Sequence, residues 1–207
     1  MRVEDLLIYG KGYCHSDHVK FLLADLLNLN PLELLNHLND YVNEENIELF
    51  KKEINSLANG KPLQYVIGNV NFYGNKFIIN ENVLIPRFET EELVENTIKY
   101  IKQNFNDNIN ILDIGCGSGV IGLTLKKEFP NVDLISVDTD LVTAPLGLLV
   151  ERMVKNKEKG MSIEENANDL NNVKKRVKGF CFVDDLQALK RGGRISATTA
   201  FFGSMLN

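Results

Sequence analysis

The stretch NINILDIGCGSGVIGLTL, Asn108 to Leu125, decides the fold of this 207-residue chain. Ile109 to Ile114 is apolar and rich in branched side chains, the composition of a strand. Gly115, Gly117 and Gly119 follow at alternate positions, and an apolar pattern of helical spacing then runs from Val120 to Phe129. Next, VDLISVD at 132–138 reads as another strand. Strand, turn, helix and strand in that order predict a parallel pair with a crossover helix. The glycine turn aims backbone N–H groups, reinforced by the helix dipole, at whatever lies above the strand ends.

That turn is built for a ligand more than for a mere change of direction, because three alternating glycines lose backbone entropy that a tight turn alone need not lose. Asp138 ends the second strand, where a carboxylate can accept both hydroxyls of a ribose, although a surface carboxylate is the plainer reading of that residue alone. Gly117, Gly119 and Gly122 also satisfy the GxGxxG spacing of dinucleotide sites, a weak signal by itself. The acidic Asp113, two residues before Gly115, favours S-adenosylmethionine as the cofactor.

Upstream, the chain reads as helices. Ser16 is an N-cap for DHVKFLLADLLNL, and Asn30, Pro31 and Glu33 open another helix with a capping box. A third helix, Glu44 to Leu57, carries Ile47, Phe50, Ile54 and Leu57 on one face and is stopped by Gly60 and Pro62. PLQYVIGNVNFYGNKFIINENVLIP, 62–86, is β-rich and broken by turn residues, so it is expected to hold a hairpin. Thr90 caps a helix reaching Phe105, with Leu93, Ile98, Ile101 and Phe105 facing one side and Glu91 and Glu92 near its positive end. After Asp140, a helix over 144–159 ends at Gly160, and Ser162 with Glu165 starts the next. A short strand FCFVDD (180–185), a basic turn LKRGGRIS (189–196) and a last helix complete the pattern.

Composition narrows the function classes. With 44% hydrophobic and 25% charged residues the chain is globular, and no apolar run approaches the roughly 20 residues of a membrane span. Met1 to Leu7 lacks a secretory apolar core, so a cytoplasmic location without membrane attachment is expected. Three scattered cysteines and three histidines offer neither a disulfide framework nor a metal site. A net charge of −5 argues against direct nucleic-acid binding. The charge is unevenly divided: residues 1–139 carry 12 basic and 20 acidic groups, and 140–207 carry 11 and 8.

The ordered segments GKPLQYVIGNVNFYG (60–74), VLIPRFETEELVE (83–95) and ILDIGCGSGVIGLTL (111–125) closely resemble the HemK/PrmC family. Its members methylate the side-chain amide of the glutamine in the GGQ motif of peptide-chain release factors. The resemblance covers about residues 1–139. It implies an S-adenosyl-L-methionine site at Gly115, Cys116, Gly117, Ser118 and Gly119, with Asp138 on the ribose and a release factor as partner. It also matches Pro86, Arg87, Glu89 and Glu91 to the family's PR-x-ETE segment on the substrate side. The family's NPPY motif, which grips the glutamine amide, is missing. Pro145 is the last proline and no Asn-Pro pair follows the glycine turn, so no catalytic residue is assigned.

The remainder resembles a different family. LGLLVERMVKNKEKGMSIEE (146–165) and FCFVDDLQALKRGGRIS (180–196) are similar to the middle of DegV proteins, which bind fatty acids without catalysis. That family's carboxylate-binding lobe has no counterpart in this chain, so fatty-acid binding is not expected. Arg191 and Arg194 read as phosphate or partner contacts, or more simply as a polar turn. Asp184 and Asp185 read as helix N-caps. The expected organisation is a helical domain (1–58), a β-hairpin connector (59–92), the front of a methyltransferase domain (93–139) and a DegV-like α/β fragment (140–207). The expected fold class is α/β: a helical unit, then a Rossmann-like parallel sheet that is incomplete or hybrid after its second strand. The seam falls near SVDTDLVTAPLG (136–147), as in a chimera, and an inactive chimeric fragment or a DegV-type binding module is the alternative to an enzyme.

Overall fold

Capping and helical periodicity account for most of the first 60 residues. A computed structural model describes residues 1–105, 109–180 and Leu186. Asp184, Asp185, Arg191, Arg194, the last helix and nearly all of the strand expected at 180–185 lie outside these residues. Two compact units are present, Met1–Asp138 and Thr139–Asn207.

The first unit opens with α1 (Val3–Lys11) and α2 (Ser16–Leu26). His15, not Ser16, caps α2, its ring nitrogen accepting from the Asp17 amide. The helix expected after Asn30 is a 3₁₀ turn, Glu33–His37, yet its predicted contacts form: Asn30 accepts from the Leu32 amide and Glu33 reaches back to the Asn30 amide. α3 (Glu44–Ala58) is capped by Asn43 and buries Ile47, Phe50, Ile54 and Leu57, the four residues that its periodicity selects. With Leu6, Leu22, Leu23 and Leu34 they form one apolar core.

A short helix not expected from the sequence, α4 (Leu63–Ile67), ends at Gly68 in the left-handed conformation and feeds the hairpin of β1 (Asn69–Phe72) and β2 (Asn75–Ile78). Tyr73 and Gly74 both have positive φ, 48° and 71°, the pattern of a type I′ turn. α5 (Glu89–Asn104) starts before Thr90 and has no side-chain cap. It buries Val94, Ile98 and Ile101, whereas the expected Leu93 is 55% exposed and Phe105 49%. A helix turns 100° per residue, so Val94 lies four residues before Ile98 and shares its face, while Leu93 is rotated outward.

β3 (Asn110–Ile114), α6 (Val120–Glu128) and β4 (Asp133–Val137) complete this unit, and β3 pairs with β4 in parallel. Phe72, Val94, Ile98, Val120 and Leu125 form a second core under the hairpin, α5 and α6. The fold class is thus α/β, with N-terminal helices followed by a short parallel sheet, which has two strands among the described residues.

In the second unit α7 (Thr143–Glu158) pairs with α8 (Ile163–Val173), which begins in the expected capping box of Ser162 and Glu165. A polar network joins them. Asn156 is buried and donates to Asn166 and Asp169, and Arg152 grips the Asp169 carboxylate through two nitrogens at 2.6 and 2.8 Å. The Arg152 contact holds the Asp169 carboxyl down at about 2, against the ordinary 3.8. A depressed carboxyl adds stability that is present above the unfolded value and is lost as the pH falls through the folded one. Asp169→Asn should therefore weaken this unit at neutral pH, the deficit shrinking as the pH drops from about 4 to about 2. Urea unfolding followed by helical circular dichroism at several pH values checks this; a pH-independent deficit contradicts it.

Candidate functional site

Parallel pairing brings both strand ends to one edge. The register runs from Asn110 opposite Asp133 to Ile114 opposite Val137, and the Gly115 amide extends the ladder by donating to Val137 O at 2.8 Å. Gly115 and Asp138 therefore leave the sheet side by side at the carboxyl ends of β3 and β4, where open α/β sheets bind ligands. Asp138 is exposed there.

The turn that follows is left-handed at each glycine: φ is 80° at Gly115, 51° at Gly117 and 76° at Gly119. Side chains rarely adopt that region, which explains why glycine recurs at every second position. The Gly119 amide closes the turn on Cys116 O at 2.7 Å, and Gly119 itself is the N-cap of α6. No side chain caps that helix. The positive dipole end of α6 thus opens on the turn without a capping side chain, while the Gly122 amide, one turn in, faces the Asp113 carboxylate. A side-chain carbon at Gly117 would have no heavy atom within 4 Å, so the space above the backbone is open. Cys116 and Ser118 are half-buried beside it. Such an arrangement fits an anionic or polar ligand lying close to the main chain, as the amino-acid end and ribose of S-adenosylmethionine would.

Beneath the turn, α6 sits on the sheet at Gly122. A carbon added there would lie 2.8 Å from Asp113 Oδ2, 3.1 Å from Ser136 Oγ and 3.3 Å from a Leu134 methyl. Asp113 and Ser136 are direct partners across the two strands. Asp113 Oδ2 is buried without a hydrogen-bond partner. Burial pushes the Asp113 carboxyl above its ordinary value, with the nearby Gly122 amide and Ser136 hydroxyl opposing the shift. Gly122→Ala should destabilise the first unit by about 1–3 kcal/mol, the range for overpacking a tight contact. Chemical unfolding measures it, and a neutral substitution would show that α6 can lift off the sheet freely.

The four residues matched by resemblance to a PR-x-ETE segment also come together. Pro86, Arg87, Glu89 and Glu91 line one cleft of about 580 Å³ with Gln64 and Val70 to Phe72 of the hairpin. Glu91 has a structural partner besides: its carboxylate accepts from the Tyr73 amide at 2.9 Å, tying the hairpin turn to α5. Tyr65 donates to Val83 O at 2.7 Å and anchors the other side. Neither link is written in the local sequence, because each joins residues 18 apart whose approach is a tertiary event. Among the described residues no group of three or more His, Cys, Asp or Glu is placed to hold a metal, and no helix is long and apolar enough to cross a membrane.

Two family models match separate parts of this chain. Residues 16–68 match the PrmC N-terminal domain, and residues 121–207 match DegV, a family of uncharacterised proteins. The second match begins inside α6, ahead of the expected seam. Among curated relatives, a release factor glutamine methyltransferase of Bacillus cereus is 39% identical over 144 residues, 67% of this chain and 51% of the relative. A protein of the same name from Flavobacterium psychrophilum is 46% identical over 97 residues, 45% of this chain and 34% of its own. One from Bacillus subtilis is 36% identical over 108 residues, 51% and 38% respectively. The chain thus spans about half the length of the curated relatives it matches, or less.

Proposed function

We propose, for a chain similar in front to the release factor glutamine methyltransferases and matching the DegV family over 121–207, that its first unit is a cofactor-holding half of such an enzyme. The observation that carries this reading is the left-handed triplet Gly115, Gly117 and Gly119 at the carboxyl edge of β3, in register with Asp138 at the end of β4. Backbone N–H groups of the turn and the open end of α6 hold the amino-acid part of S-adenosyl-L-methionine, Cys116 and Ser118 flank it, and Asp138 accepts the ribose hydroxyls. When bound, that cofactor supplies an electrophilic methyl group. Pro86, Arg87, Glu89 and Glu91 line the side on which a release factor is presented.

Methyl transfer itself is not expected. An amide nitrogen is a poor nucleophile, and its alignment with the methyl carbon has to supply much of the acceleration. The Asn-Pro-Pro-Tyr segment that grips the amide in the resembled family has no counterpart between Asp138 and Asn207. Incubation with a release factor and labelled S-adenosylmethionine, followed by mass spectrometry of the GGQ peptide, should show no methyl gain above background. A clear gain of one methyl, abolished by Asp138→Ala, would contradict this and restore a complete enzyme.

The DegV match supports a second reading, a non-enzymatic fatty-acid-binding module. No specific fatty-acid binding by residues 1–207 is expected, because a buried carboxylate without donors is unfavourable and these residues hold no counterpart of the family's gripping lobe. Saturable one-site binding of palmitate would decide for that reading.

A further inference from the structure

The hairpin presents a free strand edge inside the cleft. Antiparallel pairs alternate between bonded and non-bonded positions, and the Ile79 amide bonds to Gly68 O at 3.0 Å, which sets the phase. Val70 opposite Phe77 and Phe72 opposite Asn75 are then the bonded pairs. Asn69 and Asn71, opposite Ile78 and Lys76, turn their N–H and C=O groups away from β2. Outside the hairpin ladder, Asn71 forms no hydrogen bond among the described residues. β1 is thus an edge strand with a row of unmet main-chain groups, which proteins normally cover or charge.

That edge faces a walled slot. Val70, Asn71 and Phe72 form one side, the segment from Ile85 to Phe88 lies across the gap, and the opening is about 580 Å³. The two links described above brace it, Tyr65 to Val83 on one side and Tyr73 to Glu91 on the other. Gln64, Val70 and Asn71 also line a second hollow of about 480 Å³ beside Phe21 and Leu29. Beside the charged Arg87, Glu89 and Glu91 of the slot, the stretch along β1 offers groups suited to a peptide main chain. Gln64, Asn69 and Asn71 are carboxamides, which both donate and accept, and the Asp25 charge already meets Lys76 at 3.4 Å and Asn69 at 3.3 Å.

We infer that an extended polypeptide segment enters this slot and adds as a strand to the outer edge of β1, pairing with the main chain of Asn69 and Asn71. The assignment deepens the proposed function, on which it rests for the identity of that polypeptide, a segment flanking the release-factor glutamine. Main-chain pairing supplies the affinity, and the slot's side walls set the register. Strand addition leaves a signature that side-chain recognition does not: only every second peptide amide faces β1.

The test uses the full chain and a synthetic peptide spanning the release-factor GGQ turn, with single backbone N-methyl groups stepped along it. Strand addition predicts losses of about tenfold at alternate positions and small effects between them. Asn71→Pro, which removes an outward N–H that the hairpin does not use, should lose about tenfold, while Asn71→Ala should lose much less. Circular dichroism confirms that the variants fold; if Asn71→Pro does not, the N-methyl series on the parent chain decides alone. No peptide binding, a response without period two, or a folded Asn71→Pro that binds like the parent overturns the inference. S-adenosylhomocysteine is titrated in parallel. Peptide binding with the alternating pattern but no S-adenosylhomocysteine binding sinks the cofactor reading and leaves the strand site standing; the reverse sinks the strand site alone.

Discussion

Replacing Phe50 by alanine is expected to lower the unfolding free energy of the first unit by about 3–5 kcal/mol. Phe50 is fully buried in α3, its ring lies at the α1–α2 contact around Gly10 and Val19, and the core it fills holds 13 buried residues among the described ones. Removing the ring forfeits its transfer free energy and leaves a hole among helices that are already pinned by their caps. Native domains are stable by only about 5–15 kcal/mol, so a loss of this size leaves the helical region partly unfolded at modest denaturant. Urea titration followed at the helical circular dichroism band checks the value. A loss below about 1 kcal/mol would show that the N-terminal helices do not depend on this core.

The face that places Phe50 was legible because α3 is long and its apolar residues recur at helical spacing. Where the local pattern was ambiguous, tertiary packing chose differently. In α5 Leu93 and Val94 are apolar neighbours, and helical spacing from Ile98 and Ile101 puts Val94, not Leu93, on the face that packs with the hairpin and α6. Helix α4 was missed since its five residues bury nothing fully and show no period of their own. At the site, the glycine turn was readable from spacing, because positive φ restricts the residue type directly. Contacts made across the fold, Gly122 on Asp113 and Glu91 on Tyr73, leave no such mark in the local sequence.

Gly117→Val is expected to lower affinity for S-adenosylhomocysteine by about a hundredfold or more. A side-chain carbon built on Gly117 meets no protein atom within 4 Å, and a valine side chain would occupy the space over the turn where the ligand approaches. The left-handed backbone adds strain of about 1–2 kcal/mol. Gly60 provides the matched control: φ is +89° and its surroundings are equally open, but it follows α3, outside the glycine turn. Gly60→Val carries the strain without the obstruction and should bind like the parent.

Calorimetric titration of the full chain with S-adenosylhomocysteine tests the central claim, that residues 1–138 retain a cofactor site. Saturable one-site heat is predicted for the parent and for Gly60→Val, and none for Gly117→Val. No heat from the parent at about millimolar ligand, or a Gly117→Val titration matching the parent's, would contradict it.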